Sequence, residues 1–235
     1  EGGTWCAQVP ACSSVAVYAD YQPTLNRACE LAHILGEASL RDRLIAYPAI
    51  AQNPSLLSCE IAGRFFMDAF LAQLLEETEW ERREHAAVLW QALRQIGVNL
   101  LHLPFRFELS HRLHEERRHG YLSVNDINKL TNTIWEDYFA DTVRGSDQYV
   151  WAAKLHFYLP REPHYDWQYT AGYLIAAVLR RRLLADGRTA CGGSFGDFLS
   201  DCATIDCDEL IRRHLGADPA SDAFWTDAAT EALHV

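Results

Sequence analysis

The twenty residues LLSCEIAGRFFMDAFLAQLL, Leu56 to Leu75, constrain the chain more than any other stretch. At helical spacing their apolar side chains occupy most of the circumference instead of one stripe, the pattern of a helix enclosed by other elements. Such a helix needs cover on every side, so the rest of the chain must wrap it. One residue runs against the pattern. Glu60 sets a carboxylate on the apolar cylinder, and a buried carboxylate is costly unless it is paired, hydrogen-bonded or neutralised.

The flanking segments read as follows. TWCAQVPACSSVAVYADY is rich in β-branched and aromatic residues and broken by Pro10 and Ser13-Ser14, which predicts strand, turn and strand. PTLNRACELAHILGEASLRDRLIA carries Leu25, Cys29, Ala32, Leu35 and Gly36 at helical spacing, and Asn53-Pro54-Ser55 opens the central helix. EWERREHAAVLWQALRQIGVNLLHL is amphipathic. Pro104 is expected to break it before FRFELSHRLHEERRHG resumes up to Gly120. Ser123 with Asp126 three residues on predicts a capped helix over VNDINKLTNTIWEDYFA. After the loop HFYLPREPHY, Asp166 is the expected N-cap of DWQYTAGYLIAAVLRRRLLA. The glycine-rich DGRTACGGSFG, with Gly192-Gly193-Ser194, reads as a turn, and short helices complete the chain. The expected fold is mainly α in a single domain: a small β-element at 1–22, a helical core at 23–216 and a C-terminal helix at 217–235.

Composition excludes some partners. With 21 basic against 32 acidic residues the formal charge is −11, which argues against nucleic acid, since phosphate binding relies on clustered Lys and Arg. The one basic run, Arg180-Arg181-Arg182, reads as the wet face of a helix. No apolar run approaches the roughly 18 residues that span a membrane. The seven cysteines are an odd number and form no C-x-x-C, and Cys29 and Cys59 fall in apolar helical patterns, so a reducing, cytoplasmic setting is expected.

The chemistry gathers around LAHILGE, Leu31 to Glu37. It has the frame of the zinc-protease signature H-E-x-x-H, with Ile34 in the place of the catalytic glutamate and Glu37 in the place of the second histidine. His33 and Glu37 keep the i, i+4 spacing and share a helix face. Glu60, on the next buried helix, is the natural third member. Such a trio reads in three ways: a satisfied polar relic, a His-Glu-Glu metal site suited to iron or manganese more than zinc, or a metal-free site whose carboxylates bind and deprotonate an amine. The metal-free reading is favoured, with no cofactor, because one imidazole ligand is gone. HFYLPREPHYDWQY crowds Tyr158, Tyr165, Trp167 and Tyr169 with His156 and His164 into one segment. That reads as a pocket wall, against the alternative of plain aromatic packing. Arg161 could meet a charged substrate group. The remaining histidines, His85, His102, His111, His114, His119 and His214, read as solvated surface residues.

Taken in order, GGTWC, AVYADYQPTLNRACELAHILGEA, SCEIAGRFF, FRFELSHRLHEERRHGYLS, KLHFY and HYDWQYTAGYL resemble the M3 metallopeptidases, in particular the oligoendopeptidase F branch, from about Gly2 to about Gly216. The resemblance implies an M3-peptidase-like helical catalytic half. It places His33 and Glu60 at metal-ligand positions, Glu37 at a ligand position and Ile34 at the general-base position. It also matches His156, Tyr165 and Tyr169 to groups that bind the substrate backbone or steady the tetrahedral intermediate. Ile34 cannot accept a proton, so the family's activation of water is expected to be lost. In size and expected two-chain make-up the chain also resembles the aziridine-forming proteins of azinomycin-type antibiotic biosynthesis.

The expected function is therefore a non-peptidase enzyme of natural-product biosynthesis. It would use Glu37, Glu60 and His33 to activate the amine of an amino-acid-derived small molecule, free or on a carrier protein, for a step such as intramolecular ring closure. A pseudo-peptidase that binds peptide or protein, and a His-Glu-Glu metalloenzyme, are the alternatives. A second protein subunit is expected to cover the apolar central helix.

Overall fold

The computed structural model describes residues 3–9, 12–77, 79–160, 164–185 and 191–233, apart from the side chains at 141, 184 and 191–194. The chain runs β1 (Thr4–Val9), β2 (Ser14–Ala19), α1 (Leu25–Leu44), α2 (Leu56–Leu75), α3 (Arg82–Gly97), α4 (Leu103–Arg118), α5 (Val124–Phe139), α6 (Val150–Ala153), α7 (Trp167–Ala185), α8 (Cys191–Asp201), α9 (Cys207–Leu215) and α10 (Asp222–Ala232). Among the described residues it is mainly α, with one two-stranded sheet. The backbone gathers into two compact units, Glu1–Arg94 with Ala171–Val235, and Gln95–Thr170. Among the described residues no helix is long and apolar enough to cross a membrane.

In the first unit, β1 and β2 form an antiparallel hairpin with Thr4 opposite Ala19 and Val9 opposite Ser14. Trp5 and Tyr18 are direct partners across it, and their rings stack at 5.6 Å. Gln8 ties the hairpin to α1 by donating from Nε2 to the Arg41 carbonyl at 3.0 Å. Both long helices begin at hydroxyl caps. Thr24 Oγ1 accepts the Arg27 N–H, and Ser55 Oγ accepts the Ser58 N–H, so orphan donors of each first turn are satisfied.

α1 and α2 cross at Gly36 and Gly63. A Cβ on Gly36 would collide with the Ala62 carbonyl oxygen and lie 2.9 Å from the Gly63 Cα, so only glycine permits this approach. Gly172 of α7 comes equally close from another side, where a Cβ would sit 2.7 Å from the Glu60 Cβ. Met67 and Leu71 of α2 bury with Cys29, Val88 and Ala92, and Phe65 stacks at 4.0 Å on Phe195 of α8. Cover for α2 thus comes from α1, α3, α7 and α8. α7 can serve because it is itself buried at every position from Ala171 to Leu179.

The second unit is built on Phe105, Leu109, Ile134 and Val150, with the Trp135 ring edge-on to Phe105 at 5.3 Å. Ser123 and Asp126 form the expected capping box at the start of α5. Pro104 breaks nothing. Gly97, His102 and Leu103 all keep right-handed helical angles, and a π-helical turn at Val98–His102 leads directly into α4. Proline is tolerated in a first helical turn, where its missing N–H would lack a partner in any case. One other expectation changes. Gly192–Ser194 are backbone residues of the first turn of α8 instead of a free turn, while 186–190 lie outside the described residues. The chain leaves α9 through Gly216 in the left-handed region at φ 53°.

Candidate functional site

The candidate residues gather at two corners, one in each unit. The first lies where α1 meets α2. His33 and Glu37, one turn apart on α1, turn together toward α2, and Glu60 reaches them from there. His33 Nε2 is 3.2 Å from Glu37 Oε1 and 3.7 Å from Glu60 Oε2. One donor atom from each of the three falls within 4.8 Å of the others, so His33, Glu37 and Glu60 are brought together as the sequence suggested. Gly63 makes this possible: a Cβ there would sit 2.6 Å from the His33 ring. Ile34, in the general-base position of the signature, is buried in the core.

Glu60 is only 4% exposed. Desolvation lifts its carboxyl above the ordinary range, opposed by the nearby His33 and Arg64. Two atoms at this corner, His33 Nδ1 and Glu60 Oε2, are buried without a hydrogen-bond partner, which is unusual for a settled polar network. The sequence reading missed two neighbours. The Cys6 thiol of β1 lies 3.9 Å from Glu37 Oε2, and burial first, then Glu37, pushes its pKa up. Arg41, one turn beyond Glu37, approaches the buried Cys59 sulfur at 3.7 Å. The signal for Cys6 was its place on a strand leading to the histidine helix, but nothing in the sequence fixed the strand's register against α1.

The second corner lies in the Gln95–Thr170 unit. His156, Tyr165 and Tyr169 gather there, with ring centroids 5.0 Å apart for His156–Tyr165 and 5.5 Å for Tyr165–Tyr169. The residue that organises them is Arg106 of α4, which was not foreseen. Its Nη2 lies 2.6 Å from His156 Nδ1 and 2.7 Å from Asp166 Oδ1. Asp166, read as a helix cap, has its carboxylate committed to this buried ion pair. The pattern held a signal: Phe105, Arg106, Leu109 and Ser110 share one face of α4, and all four are buried.

The other expected residues stand apart from this corner. His164 accepts or donates at Nδ1 with Ser110 Oγ at 3.2 Å, and its ring meets His111 and His114. Those two were read as plain surface histidines; both are exposed, yet they share this contact. His102 is half-buried rather than solvated, and desolvation lowers its pKa. His214 pairs with Asp201 at 2.9 Å, while His85 and His119 are exposed as expected. Tyr158 and Trp167 are exposed and join no ring contact among the described residues. Arg161 lies outside the described residues.

No family model and no curated protein sequence matches the chain. Its fold does match solved structures. A Chlamydophila abortus protein designated a peptidase superposes with a TM-score of 0.76 at 18% identity, over 99% of this chain and 40% of that one. An oligoendopeptidase F assignment from Bacillus anthracis gives 0.67 at 17% identity, over 98% and 38%. PZ peptidase A, solved with an inhibitor, gives 0.78 at 15% identity, over 98% and 41%. The chain therefore spans about 40% of the length of the structures it matches, and at these identities the likeness establishes a shared fold.

Proposed function

We propose that this chain is an enzyme that binds and deprotonates the amine of an amino-acid-derived small molecule, free or on a carrier protein, and that it does not hydrolyse peptides. The observation that carries the reading is the His33–Glu37–Glu60 trio beside an isoleucine at the general-base position. Two carboxylates beside an imidazole can surround an ammonium group and accept its N–H bonds. Glu60, lifted above the ordinary carboxylate range, is a better proton acceptor near neutral pH than an exposed glutamate. It takes a proton from the ammonium, and the freed lone pair attacks a neighbouring carbon of the same molecule. A C–N bond forms as the bond to that carbon's leaving group breaks, and the leaving group departs with the electron pair. Closure to an aziridine-type ring in specialised metabolism is one concrete form.

The test uses chelator-treated protein titrated calorimetrically with diaminopropionate, a vicinal diamine. Binding that is lost in Glu60→Gln supports the proposal. Binding that is absent, or indifferent to Glu60→Gln, sinks it. So does metal-dependent cleavage of a fluorogenic oligopeptide. Retention of an unmodified peptide without turnover would point instead to a pseudo-peptidase.

A second reading is favoured by the same spacing. His33, Glu37 and Glu60 are close enough to hold one divalent cation, and their donor set suits iron or manganese. A bound cation would supply Lewis-acid chemistry. Stoichiometric metal retained on dialysis would favour this reading, whereas the amine reading expects substoichiometric metal.

The proposal includes a different second subunit and a cytoplasmic setting. With α2 covered by its own unit, support for a partner comes from α3, where Leu89, Trp90 and Leu93 are exposed along one side, Trp90 by 70%. A soluble monomer in light scattering, with a cooperative melting transition, would remove the second subunit from the proposal.

A further inference from the structure

The contact between Arg106 and His156 decides which hydrogen the imidazole carries. A guanidinium offers only N–H donors and stays charged in proteins, so the atom it meets must present a lone pair. That atom is Nδ1 of His156, 2.6 Å from Nη2. A proton on Nδ1 would face the donor head-on, and an imidazolium would set two cations in contact. We propose that Arg106 is a positioning residue that holds His156 neutral, with its proton on Nε2, so that the ring meets a ligand as a hydrogen-bond donor to a carbonyl or carboxylate oxygen and not as a base.

The surroundings agree. Arg106 is buried, and the same Nη2 is paired with Asp166 Oδ1, so it cannot swing away without stranding a carboxylate in the interior. The remaining groups that bear on His156 are Lys154, whose charge also disfavours a second proton, and the uncharged rings of Tyr165 and Tyr169. Desolvation and then these two cations lower the His156 pKa. The His156 ring therefore presents a neutral donor to an acceptor oxygen, the reverse of the carboxylate corner on α1 and α2. The inference stands apart from the amine reading, because the tautomer belongs to the protein alone.

The test is a long-range proton–nitrogen correlation spectrum of the full, nitrogen-labelled chain, with His156 identified by its loss in His156→Gln. A protonated Nε2 and a bare Nδ1 are expected from about pH 5.5 to 8, the range where a free histidine changes charge. The double variant Arg106→Gln with Asp166→Asn removes both buried charges together, so the fold does not keep one of them unpaired. In it the Nδ1–H tautomer should appear and the ring should take up a proton at higher pH. Acetate, used as the probe, should shift the Nε2 proton resonance of the wild type. An Nδ1–H form or an imidazolium in the wild type, an unchanged tautomer in the double variant, or an Nε2 resonance indifferent to acetate would each overturn the proposal. None of these outcomes depends on Glu60, so failure of the amine reading leaves them separately legible.

Discussion

His33 and His156 are the same residue in opposite company. His33 faces two carboxylates, acceptors that call for a hydrogen on the ring nitrogen between them. His156 faces a guanidinium, a donor that forbids one. The first sits in a crossing of two helices made close by glycines; the second sits beside a buried ion pair held between α4 and the residue before α7. The contrast teaches that the chemistry of each corner is set by the neighbours' hydrogen-bond polarity, and that each corner is maintained by a different kind of packing. Variants can test that difference directly.

The largest effect is expected at the ion pair. Arg106→Met leaves the Asp166 carboxylate buried without its cation and should cost about 3–5 kcal/mol in denaturant unfolding. If the cost is under about 1 kcal/mol, as for an exposed pair, the second corner is not organised by this contact.

Next comes the helix crossing. Gly36→Ala drives a methyl group against the Ala62 carbonyl and the Gly63 backbone, neither of which can yield without parting α1 from α2. Overpacking of this kind should cost about 1–3 kcal/mol, measured the same way, and diaminopropionate binding should fall with it. An unchanged midpoint would mean the crossing is looser than described.

A pH effect of intermediate size belongs to the first unit. Desolvation lifts the Asp68 carboxyl from its usual 3.8 to about 6, against the pull of Arg64, Arg180 and His33. Between those two pH values the folded chain holds a proton that the unfolded chain has released. Stability from this group is therefore full below the unfolded pKa and declines as pH rises through the window. The raised carboxyl of Glu60 acts in the same sense. Unfolding curves of Asp68→Asn at acidic and neutral pH should show a shallower decline than those of the wild type. A decline of equal slope would detach Asp68 from the effect.

The smallest stability change is expected at Gly63→Ala. Here the intruding methyl meets the His33 ring, a side chain that can swing aside, so unfolding should shift by less than about 1 kcal/mol. Binding of diaminopropionate should nevertheless be lost, because the displaced ring opens the trio. Stability and binding would thus part company at Gly63 and fall together at Gly36. Equal behaviour of the two glycines would break the distinction between a backbone contact and a side-chain cradle.

Much of this molecule could be read along the chain. Helical spacing, the Ser123–Asp126 cap, the opening of the central helix after Asn53–Ser55 and the β-branched hairpin are local properties, settled by neighbours within a few residues, and they appear where the pattern put them. The trio was legible for a related reason. The i, i+4 spacing set His33 and Glu37 on one face, and an isolated carboxylate on an apolar helix had to find partners. What tertiary structure alone decided is which distant groups meet. Pro104 looked like a break because proline ends most helices, yet a π-helical turn before it carries the backbone through. Asp166 was read as a helix cap, and nothing near it in sequence announced that Arg106, sixty residues earlier, pairs with its carboxylate. Arg106 looked like one charge among many in an amphipathic helix. Its burial, and with it the tautomer of His156, depends on three segments closing around one guanidinium. No short-range preference encodes that, because its energy exists only once water has been excluded from the assembled corner.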